Sequence, residues 1–126
     1  MTHRNLLAAL FGILFSMSAT LATAADIAAG EKVFKKCKVC HTLEEGGKKK
    51  IGPNLFGIMG RVSGTSAGFK YSKAMAAAAI TWDVDTLTQY LTKPKEFIPG
   101  NKMAFPGLKK PEQIENVIAF MAEKTK

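Results

Sequence analysis

The chain has 126 residues, enough for one small domain, and 47% of them are hydrophobic. Eighteen Lys and Arg against ten Asp and Glu give a net charge of +8, which suits nucleic acid, an anionic membrane surface or acidic proteins as partners. No aromatic-basic nucleic-acid motif appears, and two cysteines are too few for a disulfide framework.

The first elements in the chain are targeting signals. Met1 to Asn5 carries His3 and Arg4, an uncharged apolar stretch is centred on Leu6 to Phe15, and Ala22-Thr23-Ala24 has the small-residue pattern of a cleavage site. This is the layout of a secretory signal peptide over residues 1–24. Cleavage after Ala24 leaves a single domain over residues 25–126, with 17 basic and 10 acidic residues and a net charge of about +7. The alternative is an uncleaved anchor, since the span from Asn5 to Ala25 is just long enough for a membrane helix. The short apolar core and small-residue end favour cleavage. No second apolar span follows, so the mature body is expected to be soluble and exported, to a bacterial periplasm.

Ala25 to Lys36 reads as a helix, with Asp26 near its start and Ile27, Gly30, Val33 and Phe34 at helical spacing. Cys37-Lys38-Val39-Cys40-His41 follows. C-x-x-C-H is the attachment run for a c-type haem: both thiols form thioethers and the adjacent histidine lies under the iron. Three alternatives compete with it. A disulfide between residues three apart is usually redox-active rather than structural. A thioredoxin-like motif belongs beside a βαβ pattern, and no run of strands appears. A zinc site needs four ligands, and the only other histidine is His3.

Residues 42–70 are rich in glycine and lysine, contain Pro53, and read as an extended loop. Tyr71 to Ala79 reads as a short helix. Thr86 to Leu91 reads as another, with Asp85 as a candidate cap. Pro94, Pro99 and Gly100 then interrupt the pattern. Pro111 to Lys124 is the clearest helix, with Pro111 in its first turn and Ile114, Val117, Ile118 and Met121 as its apolar stripe. Loops this long in so small a domain need something to pack on, and a haem supplies it.

From about Asp26 to the C-terminus the chain resembles the class I cytochromes c, of the mitochondrial and bacterial cytochrome c2 type. The resemblance rests on separated motifs in order. They are Gly30 with Phe34, Cys37–His41, Gly52-Pro53-Asn54-Leu55, Gly60-Arg61, Gly68-Phe69-Lys70-Tyr71, Ile80-Thr81-Trp82, Tyr90-Leu91, Pro94-Lys95, and Ile98 to Phe105. It implies an all-α fold of helices and long loops wrapped around one haem c. By resemblance, Cys37 and Cys40 carry the thioethers, and His41 and Met103 are the axial ligands. A thioether favours ferrous iron and raises the reduction potential.

The Pro53 carbonyl is implied to accept the other ring N–H of His41. Arg61, Tyr71 and Trp82 are implied as donors to the haem propionates, which are anions needing hydrogen bonds when buried. Asn101 stands where the family usually has threonine, and is expected to donate to a propionate as well. Tyr90 is implied to bond the Met103 sulfur, and Leu55, Leu91 and Phe105 to pack on the ring. Met59, Met75 and Met121 read as packing residues. Phe34, Val117 and Phe120 resemble the crossing of the terminal helices, with Gly30 allowing close approach.

The implied activity is one-electron carriage, with no open iron position for a substrate and so no enzyme. The implied partners are acidic redox proteins: a cytochrome bc1-type donor and an oxidase or reaction-centre acceptor, met by a monomer. Lys36, Lys50, Lys95, Lys102 and Lys109 match positions that ring the exposed haem edge. Nucleic acid and stable membrane insertion are not expected. A dedicated electron acceptor of one periplasmic dehydrogenase is the alternative carrier role. A five-coordinate haem enzyme or gas sensor is the third class, disfavoured by Met103 in its motif.

Overall fold

The structure is a computed structural model and describes residues 23–126. The expected signal segment therefore lies almost wholly outside the described residues. Five helices form in the order α1 (Ile27–Lys38), α2 (Lys73–Ala77), α3 (Val84–Thr92), α4 (Pro94–Phe97) and α5 (Pro111–Lys124). Among the described residues the only β-pairing is an isolated antiparallel bridge between Val62 and Thr81. The all-α expectation agrees with this architecture. None of the described helices is long and apolar enough to cross a membrane.

Helix α1 starts two residues later than the apolar spacing suggests because Asp26 stands outside it as the cap. Its carboxylate accepts from the Ala29 N–H at 2.9 Å, and its backbone is extended. The helix also runs further, through Cys37 to Lys38. Its last turn carries Lys35, Lys36 and Lys38, which suit the negative end of the helix dipole. The Cys37 carbonyl then accepts from both Cys40 N (3.0 Å) and His41 N (2.9 Å), which folds the attachment run back over the helix end.

Helix α5 has the predicted bounds, with Pro111 in its first turn. It buries Ile114, Val117, Ile118, Phe120 and Met121. α1 buries Gly30, Val33 and Phe34. These two faces cross, and theirs is the broadest helix–helix contact among the described residues. The Phe34 and Phe120 rings meet at 5.5 Å. Asn116 Oδ1 accepts from the Asp26 N–H at 2.7 Å, so α5 also fixes the start of α1.

Besides α1, three elements differ from the sequence expectation. Helix α2 is only five residues, opened by Ser72 Oγ accepting from Met75 N at 3.0 Å. Helix α3 is capped by Asp83, not Asp85. A reciprocal box forms in which Asp83 accepts from Thr86 N and Thr86 Oγ1 accepts from Asp83 N, so the helix begins at Val84. Helix α4, a single turn opened by Pro94, was not expected, because a Pro-Lys-Glu-Phe turn is too short to show periodicity.

Between α1 and α2 the chain forms loops, as expected for residues 42–70. The Arg61–Ser63 segment pairs with Ile80–Trp82 through Ser63 N to Ile80 O (2.7 Å), Trp82 N to Arg61 O (2.9 Å) and Gly60 N to Trp82 O (2.7 Å). Lys49 Nζ crosses to the Gly68 carbonyl at 2.7 Å, tying the two halves of this loop region together.

Candidate functional site

Cys37 and Cys40 are both free thiols, each half-buried. Burial pushes the Cys37 thiol up to about 11, against the lowering effect of Lys36. A redox-active C-x-x-C cysteine has the opposite property, a depressed pKa and a ready thiolate. The thioredoxin-like alternative also lacks its βαβ context, since the described residues form helices and one isolated bridge. Among the described residues no cluster of His, Cys, Asp or Glu is arranged to hold a metal, so a zinc site has no ligand set.

His41 Nδ1 lies 2.7 Å from the Pro53 carbonyl. A carbonyl only accepts, so Nδ1 carries the hydrogen and Nε2 keeps its lone pair. Nε2 makes no hydrogen bond among the described residues. Burial lowers the His41 pKa, opposed by the Pro53 bond and reinforced by the charges of Arg61 and Lys50. The result is a neutral imidazole with one free nitrogen, the form that ligates iron. Gly52 packs directly on this ring: a Cβ there would stand 2.7 Å from Nδ1. Gly52 is held in place by donating to the Cys40 carbonyl at 2.8 Å. Nothing in the Gly52-Pro53 pair itself shows which ring the glycine meets, so the sequence alone does not assign this contact.

Arg61 donates to the Asn54 and Phe56 carbonyls, each at 3.1 Å, so it braces the loop that presents Pro53. Two of its five N–H donors are spent there, and three remain for an anion. Burial lowers its pKa, and nearby Tyr71 opposes that. The Tyr71 hydroxyl accepts from Ser66 N at 3.1 Å, and the ring stands edge-on to Phe69 at 4.8 Å.

A second group gathers on α3 and the loop after α4. The Trp82 and Tyr90 rings lie 5.0 Å apart, both buried. The Tyr90 hydroxyl lies 3.7 Å from Met103 Sδ and 3.5 Å from Asn101 Oδ1. The oxygen distance is long for an O–H···O bond, so the sulfur is the better-placed acceptor. Burial pushes the Tyr90 phenol up to about 12, which keeps its hydrogen available to the sulfur.

Asn101 departs from the expected propionate role. Its Nδ2 donates to the carbonyls of Pro94 and Ile98, each at 2.8 Å, which uses both amide hydrogens. Neither is left for a propionate. Leu55, Leu91, Met103 and Phe105 are partly buried against the core, as are Met59 and Met75, whereas Met121 is fully buried within it. Lys36, Lys50, Lys95, Lys102 and Lys109 are all exposed. Val39, inside the attachment run, and Ile51, next to Gly52, are 70% and 80% exposed.

The site therefore offers a soft thioether, a neutral imidazole and two adjacent thiols, all on elements held by backbone hydrogen bonds. That donor set fits a covalently attached haem. Comparison with known proteins agrees. Residues 27–124 match the family model described as cytochrome c. The chain is 57% identical over 105 residues to the cytochrome c of Chlamydomonas reinhardtii, covering 82% of this chain and 94% of that protein. It is 50% identical over 105 residues to that of Nigella damascena, covering 82% and 95%. In structure it resembles cytochrome cH from Methylobacterium extorquens, with a TM-score of 0.74 and 40% identity over 79% of this chain and 99% of that one. The chain belongs to the cytochrome c family, and its cofactor is one covalently bound haem c.

Proposed function

We propose that this protein is an exported one-electron carrier whose axial ligands are His41 and Met103 and whose thioethers form at Cys37 and Cys40. The observation that carries the ligand assignment is the 2.7 Å contact between His41 Nδ1 and the Pro53 carbonyl, which leaves Nε2 free. Bound haem supplies a single iron that cycles between ferric and ferrous forms. The chain's own residues do the rest. Pro53 and Gly52 fix the imidazole plane, and Tyr90 donates to the thioether. Arg61, Tyr71 and Trp82 are the proposed propionate donors. His41 and Met103 together would hold the haem iron and leave no position for a substrate, so the bound group would supply electron transfer and not catalysis of a bond change.

The net charge of +8 supports acidic redox proteins in membrane complexes as partners, met by a monomer. Export rests on residues 1–24 alone, which precede the family match at 27–124. The bacterial structural relative is consistent with a periplasmic location.

The test is direct. Protein matured with haem-attachment machinery should keep its haem through acid-acetone extraction, show the mass of one haem per chain, and take up one electron per chain. Its N-terminus should be Ala25. Freely extracted haem overturns the thioether assignment, and an intact Met1 in the mature protein overturns cleavage in favour of an anchor.

A further inference from the structure

We propose that Asn101 is a positioning residue that clamps the loop carrying Met103, so that the thioether outcompetes outside ligands for the iron. The inference rests on Met103 being the axial ligand. Asn101 is 8% exposed, and every polar atom of its side chain is spoken for. Nδ2 donates to the Pro94 carbonyl and to the Ile98 carbonyl, each at 2.8 Å. Oδ1 accepts from the Met103 N–H at 3.0 Å. The partners leave one orientation for the amide, since both carbonyls need a donor and the N–H needs an acceptor.

The two carbonyls bracket α4: Pro94 opens it and Ile98 is its C-cap, and the Pro94 carbonyl also accepts from the Ile98 N–H at 3.1 Å. One carboxamide therefore spans the single turn of α4 and holds residue 103 to it. The turn between them is tight: Asn101 N donates to Ile98 O at 3.1 Å, Pro99 stands at its second position, and Gly100 takes φ +89°. A threonine hydroxyl at 101 has one hydrogen and could serve one carbonyl only. Asparagine spans all three groups. Removing it leaves the half-buried Met103 N–H without its acceptor, leaves each carbonyl with only its backbone donor, and frees the Met103 backbone.

The experiment uses the haem-loaded protein and reads two properties of the iron site. One is the weak long-wavelength sulfur-to-iron absorption of the oxidised form. The other is the affinity of ferric protein for added imidazole, which must displace the thioether. Asn101→Ala should bind imidazole about tenfold or more tightly than the parent, the equivalent of one to two lost hydrogen bonds. Asn101→Thr, keeping one donor and one acceptor, should fall between. Val117→Ala, a core change in α5, should lower the melting temperature while leaving imidazole affinity within about twofold.

Folded Asn101→Ala with parental affinity and an undiminished band overturns the proposal. So does a Val117→Ala protein that gains as much affinity, since Asn101 would then act only through stability. If Asn101→Ala does not fold, Asn101→Thr decides, and parental affinity in it overturns the clamp. Met103→Ala separates the underlying reading. A band that is absent from the parent, or that survives Met103→Ala, means that Met103 is not the ligand, and the clamp falls with it.

Discussion

Gly30 of α1 and Asn116 of α5 meet backbone to backbone where the two helices cross. A Cβ on Gly30 would collide with the Asn116 carbonyl and stand 2.8 Å from Phe120 Cβ. The same Asn116 reaches back with its side chain to the Asp26 N–H at 2.7 Å. One residue of α5 thus fixes both the cap of α1 and the distance between the helices.

Gly30→Ala tests that contact. In an isolated helix alanine is favoured over glycine by about 1 kcal/mol. Overpacking a buried contact costs about 1–3 kcal/mol, and the obstacle here is backbone, which cannot rotate away. The variant should lose about 1–2 kcal/mol, read as a lower guanidinium midpoint with unchanged slope. A midpoint at or above the parent's would mean that the helices separate freely at this point.

Much of this packing was legible in the sequence, for identifiable reasons. The stripe from Ile114 to Met121 lies within a 14-residue helix whose start Pro111 marks, so α5 could be bounded. Where local hydrogen bonds outvote periodicity, the reading drifted. The Asp83–Thr86 box opens α3 before the apolar pattern begins, and α1 runs past Phe34 to Lys38, where the Cys37 carbonyl closes it by accepting from Cys40 and His41. The order of site residues was legible because the attachment run and the methionine loop are contiguous motifs. The direction of a single carboxamide was not. Asn101 could face a propionate or its own loop, and only the positions of Pro94 and Ile98 decide it.

Ala79 is the only non-glycine residue with positive φ among those described, at φ +51°. The left-handed conformation costs an L-residue about 1–2 kcal/mol, whereas glycine pays about 0.5–1 kcal/mol in extra chain entropy. Ala79 is exposed, so its methyl group contributes little burial. Ala79→Gly should therefore stabilise the protein by about 0.5–1 kcal/mol, seen as a melting temperature higher by a few degrees. A lower melting temperature would show that the strain is already relieved by neighbouring geometry.

The Asp83 cap makes a pH prediction. Hydrogen bonds from the Thr86 backbone N–H, and then from its hydroxyl, hold the Asp83 carboxyl below its ordinary value of 3.8. A carboxylate whose folded pKa is depressed contributes stability above its unfolded pKa and loses it as pH falls through the folded one. Asparagine caps helices about as well but carries no charge. Asp83→Asn should therefore melt below the parent at neutral pH, and the gap should close as pH falls beneath 3.8. A gap that stays constant across that range would mean that the carboxylate charge contributes nothing to the cap.

The exposed lysines make the last prediction, which concerns partner recognition. Lys102 is exposed and adjacent to Met103, whereas Lys124 is exposed at the far end of α5. A one-signed patch beside the electron exit raises the encounter rate with an acidic partner and orients the site toward it. The contact should be small and short-lived, because a carrier must leave after each transfer. Screening shortens the reach of the field, so second-order electron-transfer rates should fall as salt rises. Lys102→Glu should slow the reaction at low salt more than Lys124→Glu, and the difference should shrink at high salt. Stopped-flow reduction or oxidation with a purified membrane complex across ionic strength reads both effects. Lys124→Glu also places an anion at a helix C-terminus, so its folding is checked by circular dichroism first. Rates independent of salt, or equal slowing by the two reversals, would remove the lysines around Met103 as the docking surface.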